Sequence, residues 1–352
     1  MRVLILNWRY LKHPKAGGAE VWTQRIGEGL TAAGHQVTVF TARAQGQPTL
    51  EVINGVTVIR SGNQFTLYLK AKQYLRVAHE FHDVVLDEVN TRPFFAFSNS
   101  RIPVITMFHQ LADDVWEYEM PKPLNYLGRY VLEPMWLRKY RDQPVLALSS
   151  STKKSLHLRG ISNVSIITPG VDLVSSRLQE KHPTPSICFL GRLVPSKRPY
   201  DAIRAFELFS EEFPDARLYI IGDGPLRTEL ANSCKGNVEF VGRVDSETRN
   251  EILARCHLLI VTSVREGWGM NVTEASAFNT LSIGYDVPGL RDSISLTKGV
   301  LVDETINELA RAIAEYFRAS NKPIPQRYER SWTEVCTDFE IELQRAIQRS
   351  TR

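Results

Sequence analysis

The sequence predicts an α/β protein built from two domains, each a parallel sheet with crossover helices. Short β-branched runs alternate with helical periodicity through both halves of the chain. Between them, residues 169–186 are rich in Pro, Ser and charge and carry no sustained period, the pattern of a linker. The length of 352 residues fits two domains of roughly 100–200 residues each. A composition of 43% hydrophobic and 23% charged residues is that of globular protein and excludes disorder, collagen and coiled coil.

Taken in order, the strands expected in the first half are Val3–Asn7, Gln36–Phe40, Val56–Arg60, Asp83–Val89, Pro103–Phe108 and Val145–Ser149. Those in the second are Ile187–Gly191, Arg217–Gly222, Val238–Val241, His257–Ser263, Leu281–Tyr285 and Val300–Val302. Helical patterns fill the gaps, among them Ala19–Ala33, Asp201–Glu212, Ser246–Ala254 and Asn307–Ala319. Two Rossmann-like domains, residues 1–168 and 187–331, are therefore expected to face a central cleft. The amphipathic stretch 332–352 follows the second pattern and is expected to cross back and brace the first domain. In such sheets a ligand sits beyond the carboxyl ends of the strands, so chemistry is sought in the loops that follow them.

Charge and targeting features narrow the function. A net charge of +4 is too weak for a nucleic-acid binder. No apolar run approaches the roughly 20 residues that span a bilayer, and Met1–Leu6 runs into Asn7 and Trp8 as a first strand, without a signal-peptide cleavage pattern. A cytoplasmic protein is expected. Cys188, Cys234, Cys256 and Cys336 lack the short spacings of zinc or redox motifs and read as incidental thiols. His79 and His82, three apart without a third ligand, read as a solvated or capping pair rather than a metal site.

Three loops could carry chemistry. The first, Asn7–Lys15, leads into Gly17-Gly18 at a helix start. It lacks the tight Gly-x-Gly-x-x-Gly turn of a dinucleotide site, but bare glycine backbone at a helix N-terminus can approach an anion, or simply give the helix a flexible entry. In the second, Gly191 is followed by Arg192 and Lys197, which could converge on a diphosphate as a fork and a point charge, or form an ordinary basic loop. In the third, Glu266 and Glu274 bracket Gly267-Trp268-Gly269 and the first turn of a helix, which aims the amides of Gly269, Met270 and Asn271 beyond the strand ends. Carboxylates are good acceptors for sugar hydroxyls, so Glu266 suits a transferred sugar and Glu274 a ribose; the alternative, two acids favoured at a helix start by its dipole, explains Glu266 only in part and leaves the glycines unexplained.

These motifs, with Gly222-Asp223-Gly224-Pro225, Pro169-Gly170-Val171-Asp172, Gly242-Arg243-Val244 and Val287–Asp292, occur in an order that resembles family-4 glycosyltransferases over nearly the whole chain. The resemblance implies the GT-B fold and retaining transfer of a sugar from a UDP- or GDP-linked donor to a hydroxyl acceptor, with no obligatory metal and no cofactor beyond the donor substrate. Carried over by position, Arg192 and Lys197 bind the diphosphate, Gly18 approaches it from the first domain, Glu266 contacts the donor sugar, Glu274 the ribose, and backbone near Val244 the base. His109, at the end of its strand, matches a family histidine beside the donor sugar. Two departures bear on the acceptor. Gln110 stands where many relatives carry Asp, and the loop Asn7–Lys15 is individual to this chain.

The charge is unevenly spread. Residues 1–170 carry 20 Lys plus Arg against 13 Asp plus Glu, the remainder 23 against 26. Within the basic half, Gln64–Phe81 has the stripe of a packed surface helix. Leu127–Arg141 interleaves Tyr130, Trp136 and Tyr140 with Arg129, Arg138, Lys139 and Arg141. That pattern suits an anionic membrane surface, and equally a helix whose aromatic residues face the core. It raises an anionic acceptor, lipid-linked or part of a cell-surface glycan precursor. The competing functions are a sugar-nucleotide epimerase on the same fold and a non-catalytic nucleotide-sugar-binding protein.

Overall fold

The computed structural model describes residues 1–13, 16–172 and 179–350. Its chain divides into two compact units. The first comprises Met1–Asp113, Leu127–Gly170 and Arg330–Arg352, the second Asp114–Tyr126 and Val171–Glu329. The helix Val115–Glu119 thus groups with the second unit, where Glu119 accepts the hydroxyl of Ser196; the sequence had placed it in the first domain. Of the expected linker, 173–178 lie outside the described residues, while Lys181 and His182 are tied to the second unit.

The first unit holds an eight-stranded sheet: β1 (Arg2–Leu6), β2 (Gln36–Thr41), β3 (Leu50–Ile53), β4 (Val56–Arg60), β5 (Val84–Val89), β6 (Val104–Phe108), β7 (Val145–Ala147) and β8 (Val164–Ile166). Its order is β3-β4-β2-β1-β5-β6-β7-β8. Pairing is parallel except between β3 and β4, which form a hairpin around Asn54-Gly55. Both turn residues have positive φ, 49° and 83°, as a two-residue hairpin turn requires. β3 and β8 were not expected from the sequence. β3 is an edge strand with Leu50 and Val52 exposed, and β8 spans three residues, so neither shows a buried pattern.

The second unit holds a wholly parallel six-stranded sheet: β9 (Ser186–Leu190), β10 (Arg217–Ile221), β11 (Val238–Gly242), β12 (Leu258–Val261), β13 (Leu281–Tyr285) and β14 (Val300–Val302), in the order β11-β10-β9-β12-β13-β14. Parallel strands covered on both faces read as continuous apolar runs, and every residue of β12 and β13 is buried.

Each sheet has one place where successive crossovers leave in opposite directions, between β1 and β5 in the first unit and between β9 and β12 in the second. The carboxyl ends of those strands are where open α/β sheets bind ligands. The helix Trp332–Ser350 packs against Gly18–Ala32 in the first unit, where the Trp22 and Phe339 rings meet edge to face at 5.6 Å.

Several local expectations change in the structure. His82 is buried and hydrogen-bonded to the Tyr74 hydroxyl at 3.0 Å, so it is neither solvated nor a cap. Leu127–Arg141 is not one helix. A π-helical turn, Gly128–Leu132, passes directly into Glu133–Arg138, and Pro134, which has no N–H to donate to the preceding turn, stands just after it. Leu137 and Tyr140 enter the core, while Tyr130, Val131 and Met135 stay exposed. All four cysteines are free thiols.

Candidate active site

In the second unit, the loops after β9 and β10 are locked together through their glycines. Gly222 has φ +135°, and a Cβ there would fall 1.9 Å from the Gly191 carbonyl oxygen. A Cβ on Gly224 would fall 2.3 Å from that of Leu193. The Leu193 amide donates to the Asp223 carbonyl at 2.9 Å. Only bare backbone permits this approach, which fixes the segment carrying Arg192 and Lys197.

Lys197 closes the short turn Pro195–Lys197, and Arg198 follows in the left-handed region at φ +46°. The Arg198 guanidinium lies 4.6 Å over the Tyr285 ring and pairs with Asp201 at 2.7 Å and Glu304 at 2.8 Å. The Thr262 hydroxyl lies 2.8 Å and 2.9 Å from the carbonyls of Lys197 and Arg198, and its one hydrogen serves either. Lys197 is thereby braced from behind, and its ammonium pairs with the Glu266 carboxylate.

Glu266 also accepts from the Ser263 hydroxyl at 2.8 Å, and its amide donates to the Pro288 carbonyl at 3.0 Å. Gly269, at φ +87°, caps the helix Met270–Ala277. The amides of Met270 and Asn271 lie in the first turn, and the Asn271 side chain donates to the Leu190 carbonyl at 2.9 Å. Glu274, one turn on, faces Arg249 at 3.5 Å. Val244 follows β11, beyond Gly242, whose φ of +80° turns the chain. The structure thus brings Lys197 and Glu266 into contact, holds Arg192 on the same loop as Lys197, and sets Glu274 and Asn271 on the helix that Gly269 starts.

In the first unit, Gly17 and Gly18 head the helix Gly18–Ala32. The Gly17 amide donates to Glu20 at 2.6 Å, and the fully buried Glu20 carboxylate pairs with Arg9 at 2.6 Å. A carboxylate therefore already takes that backbone donor. Arg9 in turn lies 4.5 Å over the Trp8 ring. Lys15 of the preceding loop lies outside the described residues.

His109 follows β6, 4% exposed, with its amide bonded to the Val89 carbonyl at 3.3 Å and Nε2 3.2 Å from Glu88 Oε2. Sequence reasoning missed Glu20, Arg9 and Glu88. The available signal was an acid inside an apolar strand or a helix's first turn, where burial needs a partner. Beside His109, Val89, Thr91, Pro93, Phe108, Gln110, Trp136 and Tyr140 are among the residues that line a small hollow. Among the described residues no three His, Cys, Asp or Glu side chains gather as metal ligands do.

Comparison with known proteins gives this geometry its class. Residues 16–175 match Glycosyltransferase Family 4 and residues 173–330 match Glycosyl transferases group 1. An uncharacterised glycosyltransferase of Methanocaldococcus jannaschii is 24% identical over 84% of this chain and 83% of its own. Alpha-monoglucosyldiacylglycerol synthase of Acholeplasma laidlawii is 23% identical over 81% of each. The structure of Anabaena HepE in complex with UDP-glucose superimposes with a TM-score of 0.68 at 18% identity, covering 100% of this chain and 98% of that one. The fold is that of a GT-B transferase. The chain belongs to the family-4 glycosyltransferases, and it is an enzyme of that class.

Proposed function

We propose that the protein transfers a sugar from a nucleotide-diphosphate donor to a hydroxyl acceptor with retention of anomeric configuration and without a metal. The observation that carries this reading is the Lys197–Glu266 pair beyond the ends of β9 and β12, with Lys197 on the loop that also bears Arg192. A cation and a carboxylate held side by side match the two halves of a sugar diphosphate. Lys197 and Arg192 take the phosphate oxygens and stabilise the charge that builds as the sugar–phosphate bond breaks, a role that fixed charges perform well because they need no reorganisation. Glu266 accepts sugar hydroxyls, Glu274 the ribose, and backbone near Val244 the base. Gly18 approaches the phosphates, and His109 lies beside the sugar. The amides of Gly269, Met270 and Asn271 supply the positive end of a helix.

The acceptor is a lipid-linked hydroxyl compound, and the first unit meets an anionic membrane. Support comes from the basic surplus of residues 1–170, from the exposed Tyr130, Val131 and Met135 beside Arg129 and Lys139, and from the glycolipid product named for the Acholeplasma relative. Among the described residues no helix is long and apolar enough to cross a membrane.

Incubation with UDP- and GDP-sugars and a lipid extract tests the reading. Release of nucleoside diphosphate with an acceptor product of retained anomeric configuration is expected. A new nucleotide sugar instead would mark an epimerase. No flotation with acidic liposomes at low salt would remove the membrane contact.

A further inference from the structure

We propose that Glu88 is a positioning residue that holds the His109 imidazole as its Nε2–H tautomer, leaving Nδ1 to accept a hydrogen bond from a sugar hydroxyl. This rests on the reading of His109 as a residue beside the donor sugar. Glu88 is the second-last residue of β5 and 1% exposed. Its Oε2 receives the Asn7 side-chain amide at 2.6 Å, lies 2.7 Å from the Thr23 hydroxyl, whose one hydrogen serves it or the Ala19 carbonyl, and lies 3.2 Å from His109 Nε2. The Arg9 backbone N–H, 3.4 Å from Asn7 Oδ1, and the Asn90 side chain at 3.0 Å orient Asn7 with its Nδ2 towards Glu88.

A carboxylate only accepts, so the imidazole nitrogen beside it is the one that carries hydrogen. In a neutral ring the other nitrogen is then a bare acceptor. That atom, Nδ1, is buried and has no hydrogen-bond partner among the described residues; nor do Glu88 Oε1 and the Trp22 indole N–H. The Trp22 ring meets the His109 ring edge-on at 5.3 Å. Buried polar atoms in native proteins nearly always find partners, so three orphans on contacting side chains point to a group supplied from outside. Two of them need a hydrogen and one offers it. A hydroxyl gives one hydrogen and takes another, as does water, and a sugar supplies such groups in number.

The test uses the full chain with 15N-labelled histidine and turnover of UDP-glucose and GDP-mannose. The wild type is expected to show the His109 Nε2–H tautomer, assigned by loss of the signal in His109→Gln. Glu88→Ala should lose that preference and lower kcat by about 10- to 100-fold, with the donor KM little changed. Glu88→Gln keeps an accepting oxygen and should retain the tautomer and most of the activity, which a general structural defect would not spare. Because Glu88→Ala removes a buried cluster's centre and so threatens folding itself, the wild-type tautomer decides independently. A Nδ1–H tautomer in the wild type, or unchanged tautomer and kcat in folded Glu88→Ala, overturns the proposal. Normal turnover in His109→Ala overturns the underlying reading of His109, whatever the tautomer. A bound water would be revealed by a Nδ1 signal that does not shift on adding the sugar donor, and this removes the sugar contact.

Discussion

Lys197 and Glu266 form an ion pair that joins the loop after β9 to the loop after β12. Both side chains are largely buried, 22% and 15% exposed, so each charge depends on the other for much of its stabilisation. The pair also fixes the spacing between the phosphate-directed and the sugar-directed part of the site. Its geometry depends on what lies behind Glu266.

Behind it lies Gly289. This residue has φ +85°, and a Cβ would sit 2.2 Å from the Glu266 carbonyl oxygen. Gly289→Ala therefore both strains its own backbone and pushes the Glu266 loop. A loss of about 1–3 kcal/mol in stability is expected, together with reduced turnover. Denaturant melts and initial rates on the same preparation check it, and wild-type values for both would show that the loop yields at no cost.

Lys181 carries a stability prediction. Its ammonium donates to the carbonyls of Cys256 at 2.7 Å and Phe278 at 3.2 Å and to the Thr280 hydroxyl at 2.7 Å. Cys256 and Phe278 are the C-caps of the helices Ser246–Arg255 and Met270–Ala277, so one cation serves two helix ends where the dipoles favour it. Lys181→Met should cost about 1–3 kcal/mol by leaving those carbonyls without their donor. Equilibrium unfolding in guanidinium chloride measures it.

Stability should fall on acidification below neutrality. Burial, with the Arg2 guanidinium adding to it, pushes His82 down to about 4, and burial with Lys322 nearby does the same to His257. Between pH 4 and 6.5 the unfolded chain binds more protons at these sites than the folded one, so stability is full above 6.5 and is lost as pH drops towards 4. Each unit of separation is worth about 1.4 kcal/mol per group. Thermal melts across that window should flatten in a His82→Gln, His257→Gln double variant. An unchanged slope would place the acid sensitivity elsewhere.

The sequence made the second unit easy to read because all six strands there are parallel and its central strands β9, β12 and β13 are buried almost throughout, and buried parallel strands announce themselves as unbroken apolar runs. The hairpin strand Leu50–Ile53 escaped because an edge strand with Leu50 and Val52 exposed carries no such signal, although Asn54-Gly55 marked its turn. In the site, the loop glycines and the acids at 266 and 274 stood out by spacing. The contact between Lys197 and Glu266, the capture of the Gly17 amide by Glu20, and the cluster of Asn7, Thr23, Glu88 and His109 join residues far apart in the chain. Spacing along one sequence does not encode such meetings. The topology does, by bringing β1 beside β5 and β9 beside β12.

The central claim is that the loop bearing Arg192 and Lys197 holds a nucleoside diphosphate. Calorimetric titration of the wild type and of Lys197→Ala with UDP, GDP, uridine and guanosine tests it most directly. One diphosphate should bind the wild type well above its nucleoside, and Lys197→Ala should weaken that diphosphate by about 10- to 100-fold, as expected for a lost charge-assisted contact, with nucleoside binding unchanged. Equal affinity for diphosphate and nucleoside, or a Lys197→Ala variant that binds the diphosphate as the wild type does, would contradict it.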